Sequence, residues 1–372
     1  DLKGKILIVR TSDPGSVDPR LFEGQTMTYF GRWTYKIEAA AKAGAKAVLL
    51  IHTDRSAGYD WTVVQNSWSG EQLHLPQSLD GPLEFRGWIR EEALARVLAA
   101  RGLPLEKLYA ASMKRGFWPI PLNLRVTLRG RSEFRRVEAR NVVAEIPGRR
   151  PERVVLVAHL DHLGSTRPGG EVFNGTIDNG SAVTALLLTA RILNEHRGQL
   201  PCSVSILASQ AEEEGLLGST HYVGSTDRQN ILAAISFEST PVWGESGSLM
   251  GIGARHSTLE DLLKEIAAVE KVDYREFSMS DRGFFFRSDQ FSFAQFGIPA
   301  VWLSAGEEPR GGGNPLRDFF SATYHTVRDD FDPTWDLGAL RQTVKYAVLL
   351  VEKIGQAKAP PRWKSKLAFP VR

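Results

Sequence analysis

The residues with chemistry to offer come in short, separated groups. His159 and Asp161 stand two apart in "VVLVAHLDH" (154–162), and Asp178 lies in "FNGTIDNGS" (173–181). Glu212, Glu213 and Glu214 follow one another in "SVSILASQAEEE", Glu238 ends "AAISFE" (233–238), and His325 lies in "SATYHTVRDD" (321–330). Each alone has an ordinary explanation. A strand-end histidine is often a structural hydrogen-bonding residue, an aspartate before a helix is a cap, and glutamates at a helix start are favoured by the dipole. Jointly they make a donor set for a pair of metal ions. Imidazole and carboxylate without thiolate suit zinc, with cobalt and manganese as further options. Two ions roughly 3.5–4 Å apart need a carboxylate that bridges them, and a short Asp in a tight Gly-containing turn is suited to that. His159 and Asp161 point the same way on a strand, so Asp161 is expected to accept the second ring N–H of His159 and fix its tautomer. His162 is expected to point away from that pair if the strand continues.

Such groups act together only if the fold gathers them. In open α/β sheets ligands collect at the carboxyl ends of the strands. The apolar runs "NVVAEIPG" (141–148), "VVLVAHLDH", "SVSILASQ" (203–210), "AAISFE" and "IPAVWLSAG" (298–306) read as buried strands. Helical stretches separate several of them, at 181–196, 258–271 and 338–356. Strands alternating with helices imply an α/β fold with a mostly parallel, doubly wound sheet flanked by helices. Earlier in the chain, "KILIVR" (5–10) and "KAVLLIH" (46–52) read as strands, with "YKIEAAAKAGA" (35–45) and "EEALARVLAARG" (91–102) as helices. "AGYDWTVVQNSWSGEQ" (57–72) reads as a surface loop or hairpin, and "LNLRVTLRG" (122–130) as a half-exposed strand. A boundary is expected near 130–140, in the basic connector "RGRSEFRRVEARN". That divides the chain into a smaller α+β domain at 1–135 and a catalytic domain at 136–372.

The composition narrows the class. At 372 residues the chain is long for one domain. Its net charge of +3 is small, with basic and acidic residues interspersed, which argues against nucleic acid and anionic membranes as partners. Cys202 is the only cysteine, so neither an internal disulfide nor a thiolate metal cluster can form. No apolar run reaches membrane-spanning length. A chain that starts on Asp1 and enters a strand at once is expected to be a processed or truncated product, secreted or periplasmic in location. His52, His74, His196, His221 and His256 lack acidic partners at ligand-like spacing. Phe284, Phe285, Phe286 and Trp302 are expected in the core rather than a pocket.

Between residues 141 and 356, "AHLDHLG", "NGTIDNGSAV", "AEEEGLLGS", "ISFES", "RSDQFSFAQFGIPA" and "YHTVRDD" occur in the order found in metallopeptidase family 28. The chain resembles its co-catalytic zinc aminopeptidases, and the opening third resembles the protease-associated domain that many of them carry. The resemblance implies a zinc held by His159 and Glu238, a second held by Glu213 and His325, and Asp178 bridging. Glu212 would be the general base that takes a proton from water and passes it to the leaving amine. Glu214 would be a solvated charge without chemistry. Tyr324 would steady the oxyanion, and Asp289 and Tyr324 would face the peptide substrate. Relatives often read Ser-Asp-His where this chain has Ser288-Asp289-Gln290, and Asp-Asp-Asn where it has Ile177-Asp178-Asn179. Other readings on the same scaffold are a carboxypeptidase or dipeptidase, with Arg287 or Arg317 as the substrate-carboxylate partner, a one-zinc glutaminyl cyclase, and a metal-free receptor-like protein.

Overall fold

The computed structural model describes residues 2–76, 83–167, 169–364, 367 and 369–371. Up to residue 140 the elements are β1 (Ile6–Arg10), α1 (Trp33–Lys42), β2 (Ala47–His52), α2 (Asp54–Ala57), α3 (Trp61–Trp68), β3 (Phe85–Arg90), α4 (Glu91–Ala99) and α5 (Leu105–Ser112). Beyond it come β4 (Val142–Ile146), β5 (Arg153–His159), α6 (Ala182–Glu195), β6 (Ser203–Ser209), α7 (Leu217–Ser225), β7 (Ile231–Ser236) and β8 (Ser248–Ile252). The chain finishes with α8 (Leu259–Glu270), β9 (Asp273–Arg275), α9 (Gln290–Gln295), β10 (Ala300–Ala305), α10 (Pro315–Ala322) and α11 (Gly338–Gln356).

These elements form two compact units. The first, Asp1–Thr53 with Asp80–Arg140, is built on a parallel three-stranded sheet of order β1-β2-β3. Ile37 and Ala40 of α1 pack with Val48 and Leu50 of β2, and Leu94, Leu98 and Leu105 of α4 and α5 pack with Ile51. Alternate residues of β2 thus supply two small cores, as the period of a strand requires.

The second unit is Asp54–Leu79 with Asn141–Arg372. Its seven-stranded sheet has the order β4-β6-β5-β7-β10-β8-β9. The four central strands β6, β5, β7 and β10 are parallel, while β4 and β8 run antiparallel to β6 and β10. Val155 and Val157 of β5, Leu207 of β6 and Ala234 of β7 pack with Val223 of α7 and Phe293 of α9. The intervening Val154, Leu156 and Ala158 are equally buried and take the other face, where α6 and α11 lie against the sheet and each other. The buried set of α6, Ala182, Ala185, Leu186, Thr189 and Leu193, repeats at helical spacing. Phe284, Phe285, Phe286 and Trp302 are buried, as expected of core residues.

Three local expectations are corrected. Residues 57–72 are not a hairpin, because Asp60 accepts the Thr62 N–H at 2.7 Å and caps α3, which buries Val63 and Val64. That segment groups with the second unit, so residues 1–135 are not one continuous block. "LNLRVTLRG" forms no strand, since a strand needs a neighbour to satisfy its backbone and none among the described residues pairs with it.

Candidate active site

The site grows from the carboxyl ends of β5, β6 and β7. β5 ends at His159, so that residue leaves the sheet with 1% exposure. The turn after β6 carries Glu212 and Glu213, and the turn after β7 carries Glu238. Asp178 and Asn179 sit at a kink just before α6, and their mutual peptide bond is cis. His325 follows α10 with φ +55°, in the left-handed region that costs an L-residue about 1–2 kcal/mol.

The side chains converge. His159 Nε2 lies 3.4 Å from Asp178 Oδ1 and 3.3 Å from Glu238 Oε2. His325 Nε2 lies 3.2 Å from Asp178 Oδ2 and 3.0 Å from Glu213 Oε2. Asp178 therefore turns one oxygen to each histidine. Glu212 Oε2 is 3.9 Å from His159 Nε2. Two groups with the spacing to hold a metal ion overlap at Asp178: His159, Asp178 and Glu238, and His162, Asp178, Glu213 and His325. His162 and His325 each keep a buried Nε2 that satisfies no hydrogen-bond geometry. Buried carboxylates gathered around imidazole nitrogens suit a divalent cation.

The electrostatics follow from burial. Desolvation pushes Glu212 well above the usual carboxylate range, with His159 opposing and Glu238, Glu213 and Asp289 adding to the rise. Glu238 is raised to about 7 by burial, against the pull of His159 and of the Ser288 hydroxyl, which donates to Oε2 at 2.6 Å. Burial works against the charged form of His325, but Glu213 and Asp178 raise it to about 10. Glu213 is held down to about 2, because His325 and His162 outweigh desolvation.

Several side chains fix the ligands rather than join them. Asp329, fully buried, accepts the backbone N–H of Ile177 and Asp178 at 2.8 and 3.0 Å. Asn179 Oδ1 accepts the Ser239 N–H at 2.9 Å, tying the Asp178 turn to the turn that carries Glu238. Neither was singled out from sequence, although Asp329 stands four residues beyond His325 in the quoted "YHTVRDD".

Four expectations are revised. His159 Nδ1 is 3.1 Å from the backbone carbonyl of Asp161 and 3.8 Å from its carboxylate. The carboxylate instead accepts the Glu212 and Glu213 N–H groups, at 3.0 and 3.2 Å, and so shapes the turn bearing both. His162 faces the site, with Nδ1 2.7 Å from Glu213 Oε1, because β5 stops at His159 and strand alternation no longer applies. Glu214 is half-buried and accepts the Leu73 N–H at 3.2 Å. Asp289, expected to face the substrate, is fully buried and accepts from Ser209 Oγ at 2.5 Å. Gln290, where relatives often have histidine, is also fully buried and donates to the Phe285 carbonyl. Tyr324 stacks on His325 with centroids 3.8 Å apart. Burial and then Asp178, Glu213 and Glu212 keep its hydroxyl protonated far above the ordinary phenol range.

The sequence profile of peptidase family M28 matches residues 141–351. Over 249 residues the chain is 29% identical to a probable lipoprotein aminopeptidase, LpqL, of Mycobacterium tuberculosis, an alignment covering 60% of this chain and 48% of that protein. The chain thus spans about half the length of that relative. Among solved structures, an aminopeptidase from Aneurinibacillus sp. strain AM-1 is 17% identical with a TM-score of 0.47, covering 100% of this chain and 79% of that one. The zinc aminopeptidase BSAP from Bacillus subtilis is 18% identical with a TM-score of 0.45, covering 98% and 74%.

Proposed function

The chain belongs to peptidase family M28, and from that premise we propose that it is a zinc-dependent aminopeptidase. The observation that carries the reading is the convergence of His159, Glu238, Glu213 and His325 on a shared Asp178. In it His159 and Glu238 would hold one zinc and Glu213 and His325 the other, with Asp178 shared between the two groups. When bound, such a pair lowers the pKa of water toward neutrality and polarises the scissile carbonyl.

The chain's own residues supply the rest. Glu212 lies beside the ligands without being needed as one, and its buried carboxylate takes the proton of the attacking water and returns it to the leaving amine. Asp161 positions that carboxylate through the Glu212 N–H. Tyr324, kept protonated, donates its hydroxyl to the carbonyl oxygen as negative charge builds there.

Two observations favour an aminopeptidase over a carboxypeptidase. Arg287 Nη2 spends its hydrogen bonds on the carbonyls of Ala57 and Arg282, at 2.5 and 2.7 Å, and its guanidinium packs over Phe284. Arg317 is exposed and donates to Ser278 Oγ. Arg287 is thus engaged by the chain's own carbonyls, which disfavours it as the partner of a substrate carboxylate. The complete donor set speaks against a metal-free receptor-like protein, and its two overlapping groups against a one-zinc cyclase. We also assign the first unit to a protease-associated domain, supported by its sequence resemblance, and place the protein outside the cytoplasm, supported by the lipoprotein relative.

The testing experiment is turnover of a panel of aminoacyl-anilides and dipeptides, with matched N-acetylated and C-amidated forms, before and after chelation and after zinc is returned. Zinc-dependent cleavage that requires a free amino end is expected. Cleavage that requires a free carboxyl end, or none that depends on metal, overturns the proposal.

A further inference from the structure

Outside the donor set, one short stretch is tied to it at both ends of the second metal position. Residues 54–79 lie in sequence between β2 and β3 yet group with the second unit. Ser67 Oγ, on α3, is 2.8 Å from His325 Nδ1. Its neighbour Asn66 donates from Nδ2 to the His325 backbone carbonyl, also at 2.8 Å. Further along the same segment, the Leu73 N–H donates to Glu214, the residue after the second ligand Glu213.

The two contacts to His325 act on different freedoms. Asn66 holds the backbone of a residue at φ +55°, a conformation that persists only where the surroundings over-determine it. Ser67 acts on the ring. With the Nδ1 proton donated to Ser67 Oγ, the lone pair of Nε2 is directed at the point flanked by Asp178 Oδ2 and Glu213 Oε2. Histidines that bind metal through one nitrogen commonly give the other N–H to such an acceptor, and losing it costs roughly 10–100-fold in affinity or activity. The segment is also anchored independently of the histidine. Asp60 caps α3, Val63 and Val64 are buried, and Arg287 donates to the Ala57 carbonyl.

We propose that Ser67, with Asn66 behind it, is a positioning residue for the second metal position, so that a segment embedded in the sequence of the first unit completes the metal site of the second. This rests on the reading that the cluster holds two ions.

The test is a zinc competition titration of the metal-stripped full chain against a chromophoric chelator, resolving two binding steps, with the visible spectrum of the cobalt-loaded protein read alongside. Ser67→Ala is expected to weaken one step by about 10-fold or more. It should leave the other step and the melting midpoint of the metal-free protein unchanged, and alter only part of the cobalt spectrum. Ser67→Thr, which keeps the hydroxyl, should restore the step, and Gln65→Ala, exposed on the same helix, should change nothing. If Ser67→Ala does not fold, Ser67→Cys and Asn66→Ala are judged by the same criteria. Two unchanged steps overturn the inference alone, as does equal weakening of both steps that Thr fails to restore. A wild-type chain that takes up no metal overturns the two-ion reading and this inference with it.

Discussion

Glu212 and Glu213 are adjacent in sequence and opposite in character. Glu213 is drawn below the usual carboxylate range by His325 and His162, whereas burial drives Glu212 above it. Glu213 belongs to a group with the spacing to hold a metal ion and Glu212 does not, yet Glu212 lies only 3.9 Å from His159, where a buried carboxylate can take a proton beside the ligands. Glu212→Gln is therefore expected to retain both metals by elemental analysis and to lose kcat by roughly 100-fold or more. Near-normal turnover at full metal occupancy would remove Glu212 from the mechanism. That His159, Asp178, Glu213, Glu238 and His325 gather at one place was legible in the sequence, because strand ends of a parallel sheet advertise themselves as apolar runs ending in polar residues. What each donor's neighbours do was not. Asp161 and His162 were misassigned by extending strand geometry past His159, where the backbone had already turned.

At the scale of elements, the turn before α6 leaves no room for a side chain at Gly175. Gly175 has φ +60°, and a Cβ there would lie 2.5 Å from the Asp178 carbonyl oxygen and 2.6 Å from Cγ of His162. Gly175→Ala is expected to lower stability by about 1–2 kcal/mol from the backbone alone, read as an earlier urea midpoint, and to reduce bound zinc. An unchanged midpoint would show that the turn tolerates a side chain. The central strands and the helices α6, α8 and α11 were readable because their burial follows a local period. β8, with a glycine in "SLMGI", and α7, "LGSTHYVGS", carry too weak a period to be read. α3 is not legible in the sequence because "WTVVQNSW" mixes β-branched, aromatic and polar residues. Its contact with His325 joins residues 259 apart, a separation about which no local pattern carries information.

For the whole molecule, acid stability offers a test independent of the site. His256 packs against the rings of Phe285 and Phe369. Burial, then Arg255 and Lys364, hold it to about 4 against a lesser pull from Glu260. Because the folded-state pKa is depressed, the native state keeps this imidazole neutral while the unfolded chain protonates it. Its stabilising contribution is complete above pH ~6.5 and is lost as pH falls toward 4, by an amount on the order of 3 kcal/mol at most. Chemical denaturation of wild type and His256→Gln between pH 7 and 4.5 should give a shallower acid limb for the variant. Parallel limbs would contradict the assignment.

No helix among the described residues is long and apolar enough to cross a membrane, and the decisive assay addresses the molecule as a whole. That assay is zinc titration of the chelator-stripped chain while hydrolysis of a free-amino aminoacyl substrate and its N-acetylated twin is followed. No turnover of either is expected at zero zinc, with recovery for the free-amino substrate alone and saturation by two equivalents. Activity without zinc, or equal cleavage of the acetylated twin, would contradict the proposal.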